Sequence, residues 1–574
     1  MAHFHTKKKK GRPYLYVREI ARVDGKPKVI SQIYIGSPER VAALASGKED
    51  KDEKLKVEEF GALWVACQMD RDFDLVDIVD TIVPRGSREE GPTVGEYFLY
   101  AVLNRMVGAV SKNRMTQWYQ QTAIQHIRPI DIKKLTRQNY WEKWDRVSEK
   151  DLHKITKRFF DKLWQIRSPK DDCLLFDTTN YYTFIDSSTS SELAQRGKNK
   201  EGRNSLRQIG LGLLVERGSR LPLYYSIYPG NIHDSHYFEQ VMDEMFSVAT
   251  SFKEVNGQLT VVIDKGMNSE ENFTWIDNHP QIHFITTYST YFAEKLAQTP
   301  LSRFEYVETV GNQRLVADER FEDCMLAYRT KEEFWGEERT VVVTFNPLSA
   351  RKKNYNLGAK LDRLRGELLI MRDKVKRNQP HWREPEKIQA RYQKLCKKLH
   401  LPKEIYSLEF TITGTELTMS FRKHSYAVER KRVGFGRNIL ITDNHQWSTV
   451  DIVESSLDRW QVEDRFRQSK DDDLVGAQPV RHWTDSKIRC HLFTCIVAMT
   501  YLRLLELKLE ASGIKKTADA VMNEMRHLHS VLSFTDGRYK PLRRLESPTE
   551  GQTEVLETFG YRVDSSGVLQ NSVA

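Results

Sequence analysis

The sequence predicts a multidomain α+β chain: an α/β core interrupted by a β-rich and helical insertion, and preceded by a β-hairpin and an all-α module. Three observations predict it. The hydrophobic period is helical from about 56 to 170, gives way at 173 to short apolar runs rich in β-branched and aromatic residues, and turns helical again near 361. Two of the apolar runs, CLLFDTTNYYTFID and QLTVVIDKGM, each carry an aspartate towards their end. At 574 residues the chain is also too long for one simple core.

Composition narrows the class. With 39% hydrophobic and 29% charged residues the chain folds rather than staying disordered. No run reaches membrane-spanning length; the longest, at 492–502, is broken by Arg503. The N-terminal MAHFHTKKKKGRPY has no apolar segment, so it is not read as a secretory signal. Six cysteines show neither CxxC nor a zinc spacing with histidine, which fits reduced thiols in a cytoplasm. A net charge of +10 suits a polyanion partner without establishing one, because 89 basic residues against 79 acidic ones is a modest excess.

In chain order, residues 1–55 open on Lys7, Lys8, Lys9 and Lys10 and then alternate, predicting a hairpin that turns at Asp24-Gly25. The lysines read equally as a DNA-backbone contact or a solvated tail. Residues 56–170 are helical, a module that either docks in a DNA groove or simply packs, with no clear helix-turn-helix. CLLFDTTNYYTFID predicts a buried strand running towards Asp177. A polar loop with Lys198, Lys200 and Arg203 follows, then the strands IGLGLLVE and LPLYYSIYPG, and an amphipathic helix over 235–250. QLTVVIDKGM delivers Asp264, Ser269 caps a further helix, and HFITTYS closes the first part of the core, 171–287.

Residues 288–436 mix strands with a charged helical pair, and are expected to form a separate body. Leu361, Leu364, Leu368, Met371 and Val375 follow a 3-4 spacing. Pro380 and Pro385 interrupt it, and Ile388, Tyr392, Leu395 and Leu399 resume it, a helical hairpin too short for a sustained coiled coil. The second part of the core, 437–510, begins with the strand NILITD and ends in a mostly buried helix, HLFTCIVAMTYLRLLELKLE. The remainder, 511–574, is read as a basic region from its clusters Lys515, Lys516 and Arg538, Lys540, Arg543, Arg544, although acids elsewhere in it balance their charge, and it carries no readable motif.

Between those two elements, residues 448–470 read as one amphipathic helix capped by Ser448 or Thr449, with Leu457, Trp460, Val462 and Phe466 on its apolar stripe. Arg459, Glu463, Arg467 and Lys470 share a polar face at spacings of three or four. Taken alone this is an exposed helix laced with ion pairs. Beside Asp177 and Asp264 it gains a second reading: two strand-end aspartates and a helix glutamate are the oxygen set for a pair of hard cations, Mg²⁺ or Mn²⁺, in phosphoryl displacement. Singly, a strand-end aspartate is more often a turn or cap residue. By spacing alone Asp186, Asp234 and Asp443 serve as well.

Four ordered blocks, DTTNYY, GLGLLVERGSRLPLYYSIYPGNIHDSHYF, VVIDKGMNSEENF and DRWQVEDRFRQSK, resemble those of DDE transposases of bacterial insertion sequences, in the type 1 group marked by a Tyr-Arg-Glu-Lys signature. The gap of 199 residues from Asp264 to Glu463 is similar to that family's inserted β-rich domain. The resemblance implies an RNase H-like core with Asp177, Asp264 and Glu463 as the catalytic, metal-binding triad, using Mg²⁺ or Mn²⁺. It implies DNA contacts by Arg459 and Lys470 of the signature, with Arg467 beside them. The signature's tyrosine is Ser456 in this chain, which offers a hydrogen bond but no stacking. Trp335 is the candidate for stacking on a flipped base during a hairpin step, and otherwise a packed core residue. The implied activity is divalent-dependent cleavage at terminal inverted repeats and joining of 3′-hydroxyl ends to target DNA, by a homodimer in the DNA complex, in a bacterial cytoplasm at the nucleoid. Two alternatives stand beside it: a metal nuclease that cuts without joining, and a DNA-binding protein that has lost catalysis.

Overall fold

The computed structural model describes residues 2–9, 12–23, 26–37, 41–42, 46, 54–167, 172–186, 188–232, 238, 241–244, 258–414, 416–534 and 541–572. The helix expected over 235–250, the turn at Asp24-Gly25, and Asp234 fall wholly or largely outside them. Mixed α and β elements form two compact units: residues 1–71, 110–139 and 508–574 make one, and residues 72–109 and 140–507 the other. Residues 56–170, read as one helical stretch, are thus shared between them.

In the first unit, Ala2–Lys9, Arg12–Val23 and Lys26–Gly36 form a three-stranded antiparallel sheet. Lys7, Lys8 and Lys9 therefore lie in a paired strand rather than in a loose tail. A second sheet pairs Lys54–Glu59 with His529–Phe534, and that strand with Leu542–Leu545. The buried Glu58 meets Lys56, Gln125 and His126 at 2.7, 2.7 and 2.9 Å, so its charge is compensated where it is desolvated.

The second unit is built on a ten-stranded sheet. Its strands in chain order are β1 (Cys173–Thr183), β2 (Gln195–Arg196), β3 (Arg207–Glu216), β4 (Pro222–Pro229), β5 (Leu259–Ile263), β6 (Ile282–Tyr288), β7 (Glu305–Tyr306), β8 (Leu326–Phe334), β9 (Glu337–Phe345) and β10 (Arg437–Thr442). Across the sheet they run β7-β8-β9-β10-β6-β5-β1-β3-β2, with β4 also on β3. The pairings β1–β5 and β5–β6 are parallel, and every other one is antiparallel. The central strands read as continuous apolar runs because both of their faces are covered.

Five helices of this unit bear on the site or its surroundings: α1 (Pro347–Lys376), α2 (Pro385–Leu399), α3 (Thr449–Leu457), α4 (Trp460–Ser469) and α5 (Asp485–Ala511). NILITD enters the sheet as expected, in β10, paired to β6 and β9. The stretch 288–436, however, is not wholly separate. Its strands β7, β8 and β9 extend the central sheet, because the valines of β9 find a ladder partner in β10. What leaves the sheet is the helical pair α1–α2 with the hairpin Tyr406–Thr413/Glu416–Lys423. These share an apolar cluster of Leu357, Leu361, Leu364, Leu368, Met371 and Val375 with Ile388, Tyr392, Cys396 and Leu399.

Candidate active site

Asp177 and Asp264 are brought together by strand register. β1 and β5 run parallel with Cys173 opposite Thr260, Leu174 opposite Val261 and Leu175 opposite Val262. Two residues past the last of these pairs come Asp177 and Asp264, on neighbouring strands and near enough for the charge of one to bear on the other. Asp264 follows the last residue of β5 and caps the short turn Lys265–Met267, as a strand-end aspartate should. Asp177 is not at the end of its strand. It stands inside β1, at the point where the parallel neighbour stops and only the antiparallel partner β3 continues. Burial raises its pKa above the usual carboxylate value against the nearby cations of Lys200 and Arg459, and Asp264 adds to the rise.

The third acid arrives from the opposite side of the sequence. Ser448 caps α3 by accepting from the Asp451 N–H at 3.1 Å, as expected. The segment 448–470 is two helices rather than one, with the break at Asp458–Arg459. At the break Asp458 accepts from Arg217 Nε at 2.7 Å, and Gln461 accepts from the Gly218 N–H at 2.9 Å, tying the start of α4 to the β3–β4 turn. At the other end of α4, Ser469 Oγ and Tyr181 Oη of β1 lie 2.7 Å apart in a buried hydrogen bond. Val462 and Phe466 are buried, whereas Leu457 and Trp460 of the expected apolar stripe remain about half exposed.

The break turns Arg459 into the centre of the site. Its guanidinium donates to Asp264 Oδ1 and, at 3.1 Å, to Glu463 Oε1. Burial disfavours its charge, yet Asp264, Asp177 and Glu463 together outweigh burial and raise its pKa. The carboxyl of Asp264 responds in kind: desolvation would raise its pKa, and Arg459 holds it below the usual value. The three acids present oxygen donors only, the set that suits a hard divalent cation. Among the described residues, however, no three His, Cys, Asp or Glu side chains are grouped as metal ligands would be. With Arg459 where it is, a guanidinium supplies the positive charge between Asp264 and Glu463.

An open cleft of ≈ 650 Å³ is lined by Asp177 and Glu463 together with Lys200, Glu201, Arg467 and Lys470. Asp264 is not in its lining and joins the set through Arg459. Lys470 pairs with Glu201 at 2.7 Å and lies 5.8 Å from the Tyr181 ring centre. Arg467 pairs with Asp464, and most of its side chain is in solvent. Sequence reasoning named Lys200 only as part of a polar loop and missed Glu201. Lys200 Nζ donates to Thr178 Oγ1 at 2.9 Å and stands 4.0 Å from Asp177 Oδ1. A cation in a loop 23 residues after the first acid gives no signal that it folds back.

Ser456 lies on α3, outside the cleft lining. Trp335 is also outside it, and it packs within the protein, the second of the two readings given for it. With φ 53° at Trp335 and 78° at Gly336, these two residues make the β8–β9 turn of primed type, which matches the twist of a two-stranded ribbon. The indole stacks on Phe273 at 3.7 Å between ring centres, anchoring the hairpin tip on the helix that follows Asp264. Of the other acids, Asp186 is an exposed loop residue that accepts from Ser188. Asp443 accepts from His283 and the Phe284 N–H, holding the end of β10 to β6.

The family described as "Transposase DDE domain" matches residues 177–501, a span that opens on Asp177 and takes in Asp264 and Glu463. Among solved structures, a piggyBac transposase synaptic complex with hairpin DNA is 8% identical. The match covers 81% of this chain and 79% of that one at a TM-score of 0.40, too distant to bear on fold or site. No protein of curated function matches the chain.

Proposed function

The chain belongs to the transposase DDE domain family, whose match spans more than half of its length, and from that membership we propose that it cuts and joins DNA at transposon ends. In this reading Asp177, Asp264 and Glu463 are the catalytic acids on an RNase H-like core. The element is a bacterial insertion sequence whose terminal inverted repeats the chain binds, as a homodimer in the DNA complex. The same reading divides the chain as the sequence suggested, with a core in two parts, 171–287 and 437–510, around the inserted 288–436. The observation that carries it is the position of Arg459, which donates to Asp264 and Glu463 and whose charged form Asp177 also favours, so that acids from three separate stretches of chain converge on one guanidinium.

The donor chemistry fits Mg²⁺ or Mn²⁺, which the three carboxylates would hold and which would activate the attacking oxygen and stabilise the leaving one. The chain's own part is charge and position. Lys200 and Lys470 present cations at the cleft, where phosphate oxygens of a DNA end would lie. Arg459 must release Asp264 before all three carboxylates can ligate, and a backbone phosphate is the anion to take it, since a guanidinium grips phosphate with two parallel hydrogen bonds. The nucleophile is water for cleavage and a DNA 3′-hydroxyl for joining, so no protein side chain is consumed.

The test is to supply DNA carrying the element's own ends, with and without divalent ions, and separately ends already cut to a 3′-hydroxyl. The reading expects divalent-dependent nicking of the first and joining of the second to target DNA. Nicking without joining would reduce the protein to a nuclease, and neither reaction in the presence of tight end binding would make it a DNA-binding protein alone.

A further inference from the structure

One element pair carries a large excess of positive charge. Residues 347–399, spanning α1 and α2, hold 16 Lys and Arg against 5 Asp and Glu, a net +11, while the whole chain sums to +10. The rest of the protein therefore comes to −1, although residues 1–36 also carry a net +7. The apolar faces of α1 and α2 are packed in their shared cluster, so these cations are turned outward, and most are exposed. Arg351, Arg377 and Lys387 are paired with Asp323, Asp373 and Glu384.

An exposed basic helix is usually no more than a solvated face. A second feature separates this one from that reading. Beside α1 a groove of ≈ 250 Å³ is lined by Lys353, Asn356, Leu357, Lys360, His400, Lys431 and Phe435. Three lysines and a histidine face this groove and no carboxylate does. Among the described residues none of the three lysines is paired with an acid. Burial and the neighbouring Lys360 both depress the pKa of Lys431, the mark of like charges held together in a partly desolvated place. Packing brings these cations from α1, from the residue after α2 and from the helix Ser425–Val433. An anion is the missing partner.

We propose that this groove binds a backbone phosphate of duplex DNA, and that the α1–α2 pair is a sequence-independent DNA-binding surface in addition to the catalytic cleft. Asn356 adds a neutral donor, and Leu357 and Phe435 an apolar floor that limits competing water. The choice of DNA rests on the proposed function, while the phosphate chemistry rests on the groove alone. The groove positions the duplex without reading its bases.

The test uses the full chain and a short duplex of arbitrary sequence in EDTA, so that binding is read without cleavage. The logarithm of Kd is measured against the logarithm of salt concentration for the wild type, Lys353→Gln, and the triple variant Lys353→Gln/Lys360→Gln/Lys431→Gln. The slope should fall by about 0.9 for each phosphate that the variant no longer neutralises: by about 0.9 in the triple variant, which removes all three lysines of the groove, and by part of that in the single one. Melting temperature should hold or rise in the triple, because crowding of like charges is relieved. A wild-type slope in both variants overturns the proposal, whatever the melting temperature does. Asp186→Asn, in the lining of neither the groove nor the cleft, should keep the wild-type slope. A chain that binds with this slope but never cleaves its own ends would defeat the proposed function and leave the groove standing.

Discussion

Arg459 faces two ways in energy, and its variant should show both. Replacing it with Gln removes the cation that neutralises Asp264 and Glu463, so divalent-ion binding to the DNA-free protein should tighten by roughly tenfold, about 1.4 kcal/mol. The same change should weaken binding of transposon ends and lower its salt slope by about 0.9. Calorimetric titration with Mn²⁺ and a salt series with end DNA read the two effects. Ion binding no tighter than wild type would show that the guanidinium does not compete for the carboxylates. The Asp264–Arg459 pair also sets a pH dependence. Because Arg459 holds the Asp264 pKa below its ordinary value, the pairing stabilises the fold above the usual carboxylate range, and this contribution disappears as pH falls through the lowered value. Melting temperature followed from neutral pH into the acid range should therefore fall less steeply in Arg459→Gln than in wild type. Sequence spacing did place Arg459 on the face of Glu463. Its reach to Asp264 was not legible, because it depends on a helix break that no glycine or proline marks.

At the scale of elements, one buried hydrogen bond fixes the height of α4 against β1. Ser469→Ala leaves the Tyr181 hydroxyl buried without that partner, at a cost of about 1–3 kcal/mol. End cleavage should drop with it, since Glu463 rides on the same helix; urea denaturation and a cleavage assay check the pair of effects. Leu364, fully buried between α1 and the rest of its cluster, should cost about 2–5 kcal/mol when cut to Ala, whereas the exposed Leu369 should change stability by no more than about 0.5 kcal/mol. The 3-4 spacing of Leu361 to Val375 made this helix readable, and Ile388 to Leu399 its partner. The valines of β9 were equally visible as a strand, but their sheet was not. Strand pairing is decided by which edge is free, and a sequence read in order assigns 337–345 to the insertion it lies in rather than to the ladder of β10, some ninety residues later. Asp177 was similarly read at a strand end, because nothing in CLLFDTTNYYT tells where a parallel neighbour stops.

Over the whole molecule, the acids lie at the central sheet beside a few cations, and a large excess of cations lies on α1 and α2. Such a division suits an enzyme that must hold a polyanion next to carboxylates that would repel it, since the grip on the backbone is taken up away from them. The order of the blocks along the chain was legible as a family pattern, and the parallel pairing of β1 and β5 gives it a physical basis by carrying Asp177 and Asp264 on neighbouring strands. Spacing alone could not choose between Asp177 and Asp186, and the difference is one of surroundings: Asp186 is exposed, and its carboxylate accepts from Ser188 of its own loop. The most direct measurement is divalent-dependent cleavage of the element's own ends by Asp177→Asn, Asp264→Asn, Glu463→Gln and Asp186→Asn, with end binding measured alongside. Loss of cleavage by at least about a thousandfold, some 4 kcal/mol of transition-state stabilisation, in each of the first three, with binding retained and Asp186→Asn active, is the predicted result; cleavage that survives in any of the three, or fails in Asp186→Asn, contradicts the assignment.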